Sequence, residues 1–170
     1  MFMKLLGILA VAGMAVLVSA PVSAENAQVR AALGGGNEYG GLGVQLARTS
    51  DYDRWSLGLG LAGYSDFYGA AYGAAFSYQR ADLIGVRGGE PNRHALGVFI
   101  GPVGTEGEAE FRNGFYETRD YKAVWGAGVN YHYYRRGINA PGWSVGFGVG
   151  HGSGRHRDMT NVNIAVGYQF

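Results

Sequence analysis

From Leu42 to the last residue, apolar side chains return at every second position. A period of two places alternate side chains on opposite faces of a strand, so it dictates β-structure nearly everywhere. The series runs Leu42, Val44 and Leu46; Trp55, Leu57, Leu59 and Leu61; Tyr68, Ala70, Tyr72, Ala74, Phe76 and Tyr78; and Leu96, Val98 and Ile100. It continues through Tyr121, Ala123, Trp125, Ala127, Val129, Tyr131 and Tyr133; Trp143, Val145, Phe147 and Val149; and Val162, Ile164, Val166, Tyr168 and Phe170. Seven strands follow from this pattern, and no apolar stripe at helical spacing survives beside them.

The intervening positions tell which side meets water. They hold Ser56, Gly58 and Gly60; Gly69, Ala71, Gly73, Ala75, Ser77 and Gln79; Gly126, Gly128, Asn130 and His132; Gly146, Gly148 and Gly150; and Asn161, Asn163, Ala165, Gly167 and Gln169. A solvated sheet face would carry Lys, Glu and Thr, whereas this face is small and polar. With 31 glycines, 12 tyrosines and 16% charged residues, the large face is expected to meet lipid and the small one a narrow lumen. Closed single-chain barrels favour an even strand count, which makes Val29, Ala31 and Leu33 a first strand over about 27–35. The expected fold is therefore all-β, a transmembrane antiparallel up-and-down barrel of eight strands. Tyr39, Trp55, Tyr64, Phe67, Tyr78, Tyr133, Trp143, Tyr168 and Phe170 gather near the expected strand ends, where rings favour a membrane interface.

The N-terminus reads differently. Lys4, the apolar run Leu5 to Val18 and the small residues Val22-Ser23-Ala24 have the three parts of a secretory signal peptide. Residues 1–24 are thus expected to be removed, leaving 25–170 as one barrel domain. The apolar run falls short of the roughly 20 residues of a spanning helix. Absence of cysteine excludes disulfides, thiol nucleophiles and a lipid-anchored cysteine. Removing Lys4 from the 14 Lys and Arg leaves 13 against 13 acidic residues, so no global field attracts nucleic acid.

Asn113-Gly114 is a strong hairpin signal. Pairing Arg112 with Phe115 sets Leu96 opposite Tyr131, Val98 opposite Val129, Ile100 opposite Ala127 and Pro102 opposite Trp125, with Phe99 opposite Gly128 and Gly101 opposite Gly126. Apolar face meets apolar face, as a one-residue slip would forbid. The arms, 18 residues each from Ala95 to Arg112 and Phe115 to His132, exceed the about 9–11 residues that cross a bilayer. About 7 surplus residues reach on the order of 23 Å further, making Asn113 and Gly114 the expected tip of the longest extracellular projection.

The last nine residues, Val162 to Phe170, resemble the C-terminal strand of Gram-negative outer-membrane proteins, with Ile164, Val166, Tyr168 and the terminal Phe170 in alternation. That resemblance implies a signal read by the barrel-assembly machinery. Together with the signal peptide and strand count, the chain resembles the small eight-stranded class of OmpX, Ail and the OmpA transmembrane domain. It implies residence in the outer membrane among its lipids and lipopolysaccharide.

Several residues could carry chemistry. His151-Gly152-Ser153 resembles part of the His-x-Ser-Asn motif of the lipid A deacylase PagL, in which a His activates a Ser hydroxyl. Position 154 is Gly rather than Asn, and no Glu follows to orient the His. Glu106, Glu108 and Glu110 could offer carboxylates to a divalent cation, although Arg112, Arg119 and Lys122 lie near to pair with them. Arg155-His156-Arg157 could meet lipopolysaccharide phosphates, with Asp158 beside it. His94, His132, His151 and His156 show no metal spacing, and no cofactor is implied. The Gly/Ala-rich face leaves two possibilities open, a thin coiled lumen or a cavity for an acyl chain. A non-enzymatic envelope barrel with loops for adhesion or ligand contact is the expected function. A PagL-like lipid A hydrolase and a soluble periplasmic barrel binding an apolar ligand are the alternatives.

Overall fold

In a computed structural model that describes residues 27–84, 92–112 and 114–170, eight antiparallel strands close into one barrel in chain order. They are β1 (Gln28–Gly36), β2 (Gly41–Thr49), β3 (Asp53–Ser65), β4 (Gly69–Arg80), β5 (His94–Arg112), β6 (Phe115–Tyr134), β7 (Gly142–Ser153) and β8 (Asp158–Gln169). The first strand expected from Val29, Ala31 and Leu33 is present, and closure runs from Ala32↔Gln169 to Gly35↔Val166. Residues 1–24, expected to be a signal peptide, and Asn113 lie outside the described residues.

Large apolar side chains point outward on every strand. Tyr72 is 77% exposed and Ile164 75%, and Leu42, Val98, Val129, Phe147 and Val162 are likewise exposed. Their neighbours in sequence, such as Ala71, Ala75 and Ala165, are buried inside. A water-soluble sheet reverses this order, because removing apolar area from water is what drives its folding.

Rings cluster at the end of the barrel where β1 begins and β8 ends. Trp55 lies 4.0 Å from Tyr78, Trp143 5.2 Å from Tyr168, and Tyr168 5.1 Å from Phe170. Tyr39 departs from this expectation: it is only 3% exposed and sits in the lumen, because the chain between β1 and β2 turns inward.

The long hairpin keeps its expected register through Pro102↔Trp125 and again at Arg112↔Phe115. Between them it departs from an uninterrupted ladder. Register shifts at Pro102/Gly104 and Glu110/Phe111 interrupt it, one extra residue falling on each arm, so the two cancel at the tip. Pro102 cannot donate a ladder hydrogen bond, and β4 and β5 pair only from Arg80↔Leu96 to Phe76↔Ile100, just below it. Above that rung the β5–β6 ribbon leaves the wall and crosses the barrel mouth, held by turns on both sides. Gly114, with φ 85, takes the left-handed conformation that its turn requires.

Candidate functional site

The lumen is occupied by the protein's own backbone. Gly36 (φ 141), Gly40 (φ 73) and Gly41 (φ 112) let the chain fold back into the barrel, and Asn37–Tyr39 form a 3-10 turn there. Glycines on the facing strands make the room. A Cβ at Gly58 of β3 would lie 2.2 Å from the Glu38 carbonyl oxygen, and one at Gly167 of β8 2.0 Å from the Tyr39 hydroxyl. Neither a thin empty lumen nor an acyl-chain cavity is realised at this level. The small inner face is the negative image of the inward turn, which could not be placed from periodicity.

Buried polar side chains continue the filling toward the terminal end. Glu38 Oε1 lies 2.8 Å from His132 Nε2, both side chains buried. The amide of Gln45 donates to the Glu38 carbonyl at 3.1 Å and to Ser56 Oγ at 2.9 Å, and Ser56 Oγ lies 2.7 Å from Ser77 Oγ. Arg54 donates to Gln45 Oε1 at 2.6 Å and to Gln169 Oε1 at 3.2 Å, while its guanidinium sits 5.9 Å from the Tyr134 ring centroid. Gln169 in turn donates to the carbonyls of Ile138 and Ala140 at 3.2 and 3.0 Å, and Tyr134 donates to Gln79. Buried charges persist only where they are paired and hydrogen-bonded. Here Glu38 lies against His132, and Arg54 is held by the amide oxygens of Gln45 and Gln169. Ala81, Ala95, Tyr134 and Ile138 form an apolar floor beneath them.

At the opposite rim, two charged segments that the sequence separates come together. Glu106 accepts backbone N–H bonds from Arg155 and His156, each at 2.8 Å, and its Oε1 lies 3.0 Å from His156 Nδ1. Arg155 Nη1 donates to both carboxylate oxygens of Glu108, at 2.7 and 3.0 Å. Glu106 and Glu108 therefore clamp the β7–β8 turn, and no group of described residues has the arrangement of a metal site. On the other side of the ribbon, Tyr68 stacks on Tyr121 at 6.0 Å, and Thr105 Oγ1 lies 2.5 Å from the Tyr121 hydroxyl. Among the described residues the Arg157 side chain has no such partner.

His151 and Ser153 lie on the exterior of this rim, both exposed. His151 Nδ1 is 2.9 Å from Thr160 Oγ1, and the Ser153 hydroxyl donates to Asp158 at 2.6 Å. The His thus meets a hydroxyl rather than an orienting carboxylate, and the Ser proton is directed at Asp158. This arrangement does not join a nucleophile, base and orienting group in series. Ile164, Val166, Tyr168 and Phe170 form one outward stripe, and the Phe170 amide donates to the Ala31 carbonyl at 2.9 Å across the closing seam.

The inner-face polar residues Gln45, Arg54, Gln79, His132 and Gln169 occupy the small phase of the alternation. A charged or amide side chain in that phase was the available sign of a lumen network. Glu38, inside Gly34-Gly35-Gly36-Asn37-Glu38-Tyr39-Gly40-Gly41, gave no period to read. Known proteins offer no analogy for these groups, since the chain matches no family profile, no curated protein and no solved structure.

Proposed function

We propose that this chain is an integral outer-membrane barrel with a sealed lumen, a non-enzymatic envelope component that meets its ligands through the charged and aromatic rim. The carrying observation is the pairing of an apolar exterior with an interior filled by Asn37–Tyr39 and the Glu38–Arg54 network. An eight-stranded barrel filled by side chains conducts nothing. Charged and aromatic groups gather at the rim, where the β5–β6 ribbon, the β3–β4 turn and the β7–β8 turn meet.

On this reading the secretory signal delivers the chain across the inner membrane and Phe170 presents it for barrel assembly. Both termini then face the periplasm and the ribbon faces outward, toward lipopolysaccharide and other surfaces. A lipid A hydrolase is less well supported, because Ser153 is bonded to Asp158. A soluble carrier is less well supported as well, because an apolar ligand would have to displace the inward turn.

An epitope inserted beside Gly114 tests the reading in whole cells. Antibody labelling of intact cells, with heat-modifiable migration of the membrane-extracted protein, is the expected result. A protein recovered in the soluble periplasm, or an epitope reached only after permeabilisation, would overturn it.

A further inference from the structure

The wall of the barrel is not equally tall all round. β1 and β2 stop at Gly36 and Gly41, where the chain turns inward, so β8 pairs with β1 only up to Gly35↔Val166. From Asp158 to Ala165 no strand forms a ladder with β8 on that side among the described residues, although Asn161 donates to the Val103 carbonyl of the β5–β6 ribbon at 3.0 Å. β2 likewise leaves β3 at Leu42↔Leu61. The result is a notch in the wall above the inward turn.

Two recesses meet along the notch. The lower, about 760 Å³, lies on the outer surface against Leu33, Gly35, Leu42, Ile164 and Val166. Its floor is Gly35, where a Cβ would find nothing nearer than 3.9 Å. The upper, about 580 Å³, lies at the edge of β8 and takes in Val103, Arg157, Met159, Asn161 and Val162, together with Asp158, which accepts from the Ser153 hydroxyl. Val162 of the upper recess and Ile164 of the lower are successive outward residues of one strand.

Depth places this edge at the membrane. From Tyr168 in the ring-rich end to Thr160 is about 26 Å along the strand at about 3.3 Å per residue. A tilt of about 40° reduces this to roughly 20 Å of height, against an apolar band about 25 Å tall. Backbone N–H and C=O groups at such an edge have no water to bond in hydrocarbon, so a partner with polar groups at the top and an apolar body below fits it best. A second copy fits poorly. Copies in one membrane are related by an axis along its normal, so strands tilted by about 40° cross at about twice that angle and cannot form a ladder.

Resting on the outer-membrane reading, we infer that the notch holds one lipopolysaccharide molecule. One acyl chain lies over Gly35 between Leu42 and Ile164, and a phosphate reaches Arg157, whose guanidinium has no hydrogen-bond or ion-pair partner among the described residues. Charge-assisted contacts of Arg to phosphate are the strong kind. Sugar hydroxyls of the headgroup bond the free edge of β8 beside Thr160.

The test is native mass spectrometry of the mature protein refolded in detergent and titrated with lipopolysaccharide lacking O-antigen, with phosphatidylglycerol in a parallel arm. One lipopolysaccharide should be retained per barrel. Gly35→Leu, which fills an open recess, and Arg157→Glu should each lower retention about tenfold or more, which is the scale of one lost contact of about 1.4 kcal/mol. Ile100→Leu, on the far side of the barrel, should not. Equal retention in all variants means bulk lipid coating and overturns the inference, as does equal retention of phosphatidylglycerol or a lipid-free dimer. Heat-modifiable migration, read on samples refolded with and without detergent, separates these outcomes from failure of the membrane reading, in which the barrel would fold equally well in water.

Discussion

Glu38, on the turn that folds into the lumen, faces His132 on β6 across 2.8 Å, and this pair ties the inward segment to the opposite wall. Removing one partner leaves a buried polar group without the other, at a cost of about 1–3 kcal/mol. Glu38→Gln and His132→Gln should therefore each lower the urea stability of the refolded barrel. The double variant should lose much less than the sum, because the two side chains share one interaction. Tryptophan fluorescence in vesicles follows the unfolding, and strictly additive losses would show that the pair is not coupled.

The glycines around the turn are steric requirements rather than flexible points. Gly58→Ala drives a methyl toward the Glu38 carbonyl oxygen, 2.2 Å away. Overpacking of this kind costs about 1–3 kcal/mol. Gly35→Ala, with nothing within 3.9 Å, should stay within about 0.5 kcal/mol of the parent. Equal stability of the two variants would mean that the inward turn does not occupy the lumen as described.

The clamp at the rim is sensitive to acid. Backbone N–H from Arg155, then the bonds from His156, hold the Glu106 carboxyl below the ordinary carboxylate range, against the opposing effect of desolvation. A depressed folded-state value means that the stabilisation is fully present above the unfolded pKa and is lost as pH falls through the folded one. The β7–β8 turn should be held at neutral pH and should loosen in acid, below about pH 4. Amide chemical shifts of Arg155 and His156 should report one transition there, absent in Glu106→Gln. A transition retained in that variant would assign it to another group.

Phe170 closes the seam through its amide to the Ala31 carbonyl, and its carbonyl accepts from Arg30 at 3.2 Å. Deleting it should reduce the amount of assembled barrel in the membrane several-fold, since the free edge that closure removes has no partner in lipid. The rim, at the far end, should keep its contacts in whatever protein assembles. Normal levels and normal heat-modifiable migration after the deletion would overturn this.

Much of the fold was legible because strand faces depend on nearest neighbours. Alternation at Val98, Ile100 and Val129, and the small residues between, determined strand, face and barrel class. The Arg112 to Phe115 turn determined the register as far as Pro102↔Trp125. Even the faint strand at Val29, Ala31 and Leu33 followed from the need for an even count. What tertiary structure alone decided lies between segments far apart in the chain. Arg54 meets Gln169 across 115 positions, and Arg155 meets Glu106 across 49. Barrel closure brings such residues together, and no local period encodes which inner-face groups will meet. The inward course of Asn37–Tyr39 belongs to the same class: the glycines around it permit many paths, and only the shape of the surrounding strands and the position of the His132 imidazole select one.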